Sequence, residues 1–257
     1  LPQVLLDFEV VGPVARSARD ISILDGILSG PSSGDPTSRA RYPQRKVSAP
    51  RVAFVPKLGD APCDPAIIGA TQRIADGLAG IGCDVSESQL PLDLKPITDA
   101  WSAIAEIGLA RAFQDDPAVA AAAGSKYQEM AKRGAGYTAP DLWKILNVIT
   151  RLRAATSRYF MEMDAILMPT SAAMPWPAYD PFPSLIDGQV VGPRGHAIYT
   201  GWVNAAGLPA VSVPAPVSGG LPIGAQIIGD LGSEHLLMQL AQELEDNGTC
   251  YFRPPKL

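Results

Sequence analysis

Helical and strand-like patterns alternate along this 257-residue chain. The first helical pattern runs from Ser17 to Ser29 and ends before Gly30 and Pro31, which interrupt helices. Its apolar positions fall on one helical face: Ile21, Leu24, Ile27 and Leu28. A stretch rich in Pro, Ser and Gly follows, and it predicts a long loop over about residues 30–50.

The next segments predict a strand, a helix and a second strand. The strands are RVAFVP and GCDVSES, and the helix between them runs from about Pro65 to Ala79 with Asp64 as its N-cap. Its apolar stripe consists of Ile67, Ile68, Ile74 and Leu78. This order is typical of a βαβ unit and therefore of the α/β class.

The second half is helical first and strand-rich later. Residues 94–159 follow a helical pattern, and short apolar strands separated by Pro and Gly come next: DAILMPT, PAVSVPAP and GAQIIG. A final helix is predicted over Glu234–Glu245, with Ser233 as its N-cap. We predict one α/β domain over 1–257, with a mixed central sheet covered by helices on both faces and no separate second domain.

Composition narrows the function classes. The chain is 47% hydrophobic and 18% charged with a net charge of −5, and its Lys and Arg are scattered, which argues against a nucleic-acid partner. Three widely spaced cysteines and two distant histidines favour reduced thiols, a cytoplasmic location, no metal site and no cofactor. No apolar run approaches the roughly 20 residues that span a bilayer, so we expect no membrane association.

Three blocks resemble the amidase-signature family in order and spacing. They are VGPVARSARDISILDGILSGPSSGDPTSR with RVAFVPKLGDAPCDPAI, then DAILMPTSAAMP, and then YTGWVNAAGLPAVSVPAP with GLPIGAQIIGDLGSEHLLMQLAQELE. The resemblance extends from about Leu6 to Asp246. It implies an amide hydrolase that forms an acyl-enzyme on a serine, with a lysine as base, a second serine as proton relay and backbone amides as oxyanion hole.

The catalytic residues of that family are expected outside this sequence. In the family the lysine and both serines precede the stretch that opens this chain, and no GGSS-type run occurs here. Ser218-Gly219-Gly220 is interpreted as a turn. We therefore assign no catalytic residue to this chain and expect the N-terminal half, in the same or a companion chain, to be its partner.

Five residues are candidates for substrate binding. Tyr199, Trp202 and Asn204 lie in a segment that approaches the acyl group in similar proteins, while Trp101 lies on a helix that lines the substrate entrance in the family. Trp176 lies on a proline-stiffened loop after a strand, a common place for ligand contacts. Packing of the aromatic rings in the core, and turn chemistry for Asn204, remain open alternatives.

Three functions are compatible with these observations. The first is hydrolysis of a small-molecule carboxamide, with this chain supplying pocket and scaffold, and a homodimer is compatible with it. The second is the amidase subunit of a tRNA-dependent amidotransferase, against which the acidic balance argues. The third is a non-catalytic binding module that retains the amidase fold.

Overall fold

A computed structural model describes residues 4–39, 47–217 and 220–254. These residues form two compact units, of which the first comprises Leu1–Val11, Leu92–Ser157 and Asn204–Gly207. The second comprises Gly12–Pro91, Arg158–Val203 and Leu208–Leu257. The turn expected at Ser218-Gly219 and part of the loop expected over about 30–50 lie outside the described residues.

The second unit contains a five-stranded mixed sheet. Its strands are β1 (Arg51–Phe54), β2 (Asp84–Glu87), β3 (Ala165–Pro169), β6 (Ala210–Ala215) and β7 (Ile223–Gly229), in the order β2-β1-β3-β7-β6. β1 runs parallel to β2 and β3, whereas β7 runs antiparallel to β3 and β6. The predicted α/β class with a mixed sheet is confirmed.

Helix α2 (Pro65–Gly80) connects the parallel strands β1 and β2, as the βαβ pattern predicts. Asp64 caps it, since its Oδ1 accepts from the backbone N–H of Ala66 at 2.8 Å, and Pro65 occupies the first turn. Ile67, Ile74 and Leu78 are buried where α2 packs on the sheet. The predicted helix and its apolar stripe are confirmed, and Ile68 lies at the edge of the stripe.

Two further helices pack in the second unit. Helix α8 (Glu234–Asp246) lies against β6 and β7, and helix α1 (Ala18–Leu28) packs against α8. Ser17 caps α1, because its Oγ accepts from the backbone N–H of Asp20 at 3.1 Å. Ser233 occupies the N-cap position of α8 as predicted, but its hydroxyl makes no capping hydrogen bond. This hydroxyl has no hydrogen-bond partner among the described residues.

Along the chain, a two-stranded hairpin lies between β3 and β6. Its strands are β4 (Leu185–Ile186) and β5 (Gln189–Val190), joined by Asp187 and Gly188 with positive φ of 49° and 70°. Asp-Gly is a preferred pair for such two-residue turns. This hairpin is not among the predicted elements, although Asp187-Gly188 is a turn signal in the sequence.

The first unit is helical. It contains α3 (Lys95–Asp115), α4 (Pro117–Ala122), α5 (Ser125–Gly134) and most of α6 (Ala139–Tyr159), which confirms the helical pattern predicted for 94–159. Helices α3 and α5 pack closely at Gly134, where an added Cβ would collide with the backbone carbonyl of Glu106. The carboxylate of Glu106 is buried and accepts from Arg133 Nε at 2.7 Å, which satisfies its charge within the helix pair.

Candidate substrate-binding segments

The segment that follows β3 folds back on itself. Thr170 N donates to Gly224 O at 3.1 Å, which extends the pairing with β7. The Ser171 hydroxyl and the Ala172 N–H both donate to the carbonyl of His196, at 3.2 and 3.0 Å. These bonds hold the short 3-10 helix Gly195–Ala197 beside the end of β3.

Trp176 lies on this segment and packs against His196. The ring centroids are 4.7 Å apart and tilted by 57°, and the indole Nε1 donates to Asp180 O at 3.0 Å. Burial, and then the positive charge of Arg194, lower the pKa of His196. The imidazole and the partly exposed indole therefore form a fixed aromatic surface on the loop.

Tyr199 lies in the interior of the second unit with none of its surface exposed. Its hydroxyl donates to Pro56 O at 3.3 Å, and its carbonyl accepts from Gln226 Nε2 at 2.8 Å. Burial, and then the neighbouring Cys63 thiol, raise the pKa of the Tyr199 phenol. Through these two hydrogen bonds, Tyr199 connects β7 with the segment that follows β1.

Trp202 is also buried, with 3% of its surface exposed. It lies in helix α7 (Gly201–Ala206), which is followed by Gly207 at a positive φ of 73°. Such a glycine is a common helix terminator because it enters the left-handed region without a Cβ penalty. The indole Nε1 of Trp202 finds no acceptor among the described residues, so the side chain is held by packing.

Trp101 and Asn204 both contact Phe8 within the first unit. The Trp101 ring stacks on Phe8 with centroids 5.9 Å apart, and Asn204 Nδ2 donates to Phe8 O at 2.9 Å. Gly108, on the same face of α3 as Trp101, abuts the backbone of Val4. This face of α3 is thus covered by residues 4–8.

Among the five candidates, Trp101 and Asn204 share a partner, Phe8. In the other unit, Trp176 packs on His196 and the Tyr199 carbonyl accepts from Gln226. Trp202 is a buried packing residue of that unit. Sequence reasoning missed Phe8, His196 and Gln226 as partners. No local pattern marks them, because each pairs with a residue at least 20 positions away in the chain.

In the part of the chain that the structure describes, Lys95 and Lys144 hydrogen-bond to carboxylates. Lys95 donates to Asp99 at 2.6 Å, and Lys144 donates to Asp141 at 3.2 Å. Such exposed pairs at helical spacing are ordinary surface contacts.

The comparison with protein families decides the relationship, since the family model described as Amidase matches residues 3–238. This chain belongs to the amidase family. The resemblance predicted from the sequence blocks is therefore confirmed over nearly the whole chain.

Relatives and solved structures agree with this assignment. The amidase chain is 28% identical to a 6-aminohexanoate-cyclic-dimer hydrolase of Paenarthrobacter ureafaciens, over 96% of this chain and 55% of the relative. It is 26% identical to a glutamyl-tRNA(Gln) amidotransferase subunit of Clostridium botulinum, over 96% of this chain and 56% of the relative. A bacterial aryl acylamidase of the amidase signature enzymes shares the fold, with a TM-score of 0.79, 22% identity and coverage of 93% of this chain and 53% of that one.

The amidase chain spans about half the length of the curated relatives it matches. Among the described helices, none has the length and hydropathy that crossing a membrane requires. Within residues 4–39, 47–217 and 220–254, no group of three or more His, Cys, Asp or Glu side chains is arranged to hold a metal ion.

Proposed function

We propose that this chain supplies scaffold and substrate-pocket residues to a serine amide hydrolase whose nucleophile and base lie outside these 257 residues. The main support for this proposal is the match of the amidase family model to residues 3–238. The 28% identity to a 6-aminohexanoate-cyclic-dimer hydrolase supports hydrolysis of a small carboxamide. The three free cysteines, all buried, support a reducing, cytoplasmic location. We also propose that residues 1–257 belong to a single domain.

The proposed reaction is acyl transfer. A serine oxygen attacks the carbonyl carbon while a base accepts its proton, the C–N bond breaks with protonation of the leaving nitrogen, and water then hydrolyses the acyl-enzyme to a carboxylate. The contribution of this chain is positioning, because holding the acyl group against the nucleophile removes much of the entropic barrier. The aromatic side chains of the candidate segments are suited to bury an apolar acyl group.

Among the five candidate residues, we assign direct substrate contact to Trp176. Its indole is partly exposed and is fixed by His196 and Asp180, so it presents a preorganised apolar wall. Tyr199 and Trp202 are buried in the second unit, and we assign them a packing role. Trp101 and Asn204, both fixed on Phe8, stay candidates for substrate binding within the first unit.

Trp176→Ala in the complete protein tests this assignment. If the indole is a pocket wall, the ratio of kcat/KM for a bulky aryl amide to that for a small aliphatic amide should fall by roughly 10-fold or more, since even one methylene group in an apolar pocket is worth about that much. Trp143→Ala is the matched control, because Trp143 is 66% exposed on α6. Equal ratios in wild type, Trp176→Ala and Trp143→Ala would remove Trp176 from the pocket.

The second candidate function is the amidase subunit of a tRNA-dependent amidotransferase. It is favoured by relatives that are named as a subunit of glutamyl-tRNA(Gln) amidotransferase, at 26 to 27% identity. Glutamine hydrolysis that rises on addition of glutamyl-tRNA and ATP would establish it. Hydrolysis of aryl or aliphatic amides without either addition supports the first function, and no hydrolysis of any amide supports a non-catalytic module.

A further inference from the structure

Helix α1 carries an apolar stripe that faces solvent. Its members are Ile23, Leu24, Ile27 and Leu28, with 54%, 39%, 73% and 60% of their surfaces exposed. At ~100° per residue the four side chains fall within an arc of roughly 140°. We call these four residues the α1 stripe.

The rest of α1 is already packed by a different face. Ala18 is buried, and its backbone N–H donates to Glu245 Oε2 of α8 at 2.6 Å. Ala18, Ile21 and Asp25 are the residues of α1 that are buried or partly buried, and they lie on one side of the helix. The position of α1 is therefore fixed by α8, and the stripe is left open on the side that points away.

A solvent-facing helical surface of this kind is unusual. A surface helix of a globular protein turns its apolar positions to the core and its polar positions to water. In α1 four of the five Ile and Leu side chains have the opposite arrangement and together expose several hundred Å², which is the size of the largest patch on a typical monomer. The largest apolar patch of a monomer is often a functional surface.

The comparisons indicate what covers the stripe. The family match extends over residues 3–238 and thus includes α1, so the helix belongs to the shared amidase fold and is not an appendage of this chain. The matched relatives are nearly twice as long, since this chain spans 55 to 56% of them. About half of the fold therefore has no counterpart in these residues, and it is the nearest available partner for an unburied family helix.

We propose that the α1 stripe is the docking surface for the remaining part of the amidase fold. The proposal rests on the proposed function, to which it adds the surface through which scaffold and catalytic part join. A second copy of this chain is a poorer occupant. An isologous contact through one three-turn helix would bury far less than the roughly 800 Å² per partner of a standard stable interface.

The test compares two cysteine variants on the same helix in the native protein, purified with any polypeptide that remains attached to it. Ile27→Cys probes the stripe. Ser22→Cys is the matched control, since Ser22 is exposed and lies about 170° from the centre of the stripe. The native thiols Cys63, Cys83 and Cys250 are all buried, so their background reaction with a maleimide is low.

We expect Ile27→Cys to react with the maleimide at least ~100-fold more slowly than Ser22→Cys, because a docked helix face is exposed only by local opening. Both variants should react equally in denaturant. Leu24→Cys serves as a second stripe variant if Ile27→Cys does not fold. Equal rates for the stripe and control variants in the native protein would overturn the proposal, whether both react or both are protected.

A photoreactive benzoylphenylalanine at position 27 identifies the occupant. The proposal requires the crosslinked peptide to lie outside these 257 residues and to match the amidase family. A crosslink to a second copy of this chain, or to a protein of another class, would overturn it. Amide hydrolysis measured on the same preparation separates the two claims: activity without protection rejects only the docking surface, and protection without activity rejects only the proposed function.

Discussion

Trp202→Ala separates a core role of this side chain from a pocket role. The side chain is only 3% exposed, and it is held by packing without a hydrogen bond among the described residues. Truncating a buried Trp to Ala removes its transfer free energy and leaves a cavity, at a typical cost of ~3–5 kcal/mol. Each kcal/mol lowers Tm by about 2–4 °C in a protein of about 150–250 residues and by less in a longer one, so we expect Tm of the complete protein to fall by several degrees.

Two variants calibrate this prediction. Trp143→Ala removes the same side chain at an exposed position of α6 and should change the free energy of unfolding by less than ~0.5 kcal/mol. Trp202→Phe keeps most of the ring volume and sacrifices no hydrogen bond seen in the described residues, so it should cost clearly less than Trp202→Ala.

The assay is thermal unfolding of the complete protein, together with kcat/KM for one bulky and one small amide. A core position predicts a large loss of Tm with an unchanged ratio between the two substrates. If Trp202→Ala unfolds no earlier than Trp143→Ala but alters that ratio more than ~10-fold, the packing argument is refuted and Trp202 lines the pocket.

Three further predictions address the rest of the molecule. Gly134→Ala should destabilise the protein by at least ~1–3 kcal/mol, because its methyl group would collide with the Glu106 carbonyl. Gly26→Ala in α1 has open space around it and should stabilise the protein by about 0.5–1 kcal/mol in chemical denaturation. The pKa of His196 is lowered in the folded state, so the stability that neutral His196 contributes is present above pH 6.5, its ordinary pKa, and is lost as the pH falls below that value. His196→Gln should flatten that part of the pH–stability curve, and an unchanged slope would contradict this. The native thiols should resist maleimide without denaturant, because all three are buried and burial raises the pKa of Cys83 and Cys250 to about 11; rapid labelling of any of them would disprove the packing around it.

Local patterns predicted the elements whose determinants lie close in sequence. Asp64 and Pro65 mark the start of α2 by capping chemistry and fixed φ, and both act in the structure as they do in isolated helices. The alternation of strand, helix and strand also sets the parallel pairing of β1 and β2. The hairpin at Asp187-Gly188 could have been predicted by the same means.

The remaining features depend on distant partners that periodicity does not reveal. The sequence places Ile27 and Leu28 on an apolar face but does not show whether that face is covered, and the described residues leave it open. The buried Tyr199 hydrogen-bonds to Pro56 and Gln226, and both residues lie far from it in the chain. An aromatic residue that lines a pocket and one that packs in the core therefore have the same local sequence signature.

The location of the reactive serine tests the central claim most directly. The native protein would be labelled with a serine-directed fluorophosphonate during amide hydrolysis, and the modified peptide would be mapped by mass spectrometry. The account predicts loss of hydrolysis with stoichiometric labelling of a serine outside these 257 residues. Stoichiometric labelling of a serine within them, such as Ser171 beside His196, would contradict it.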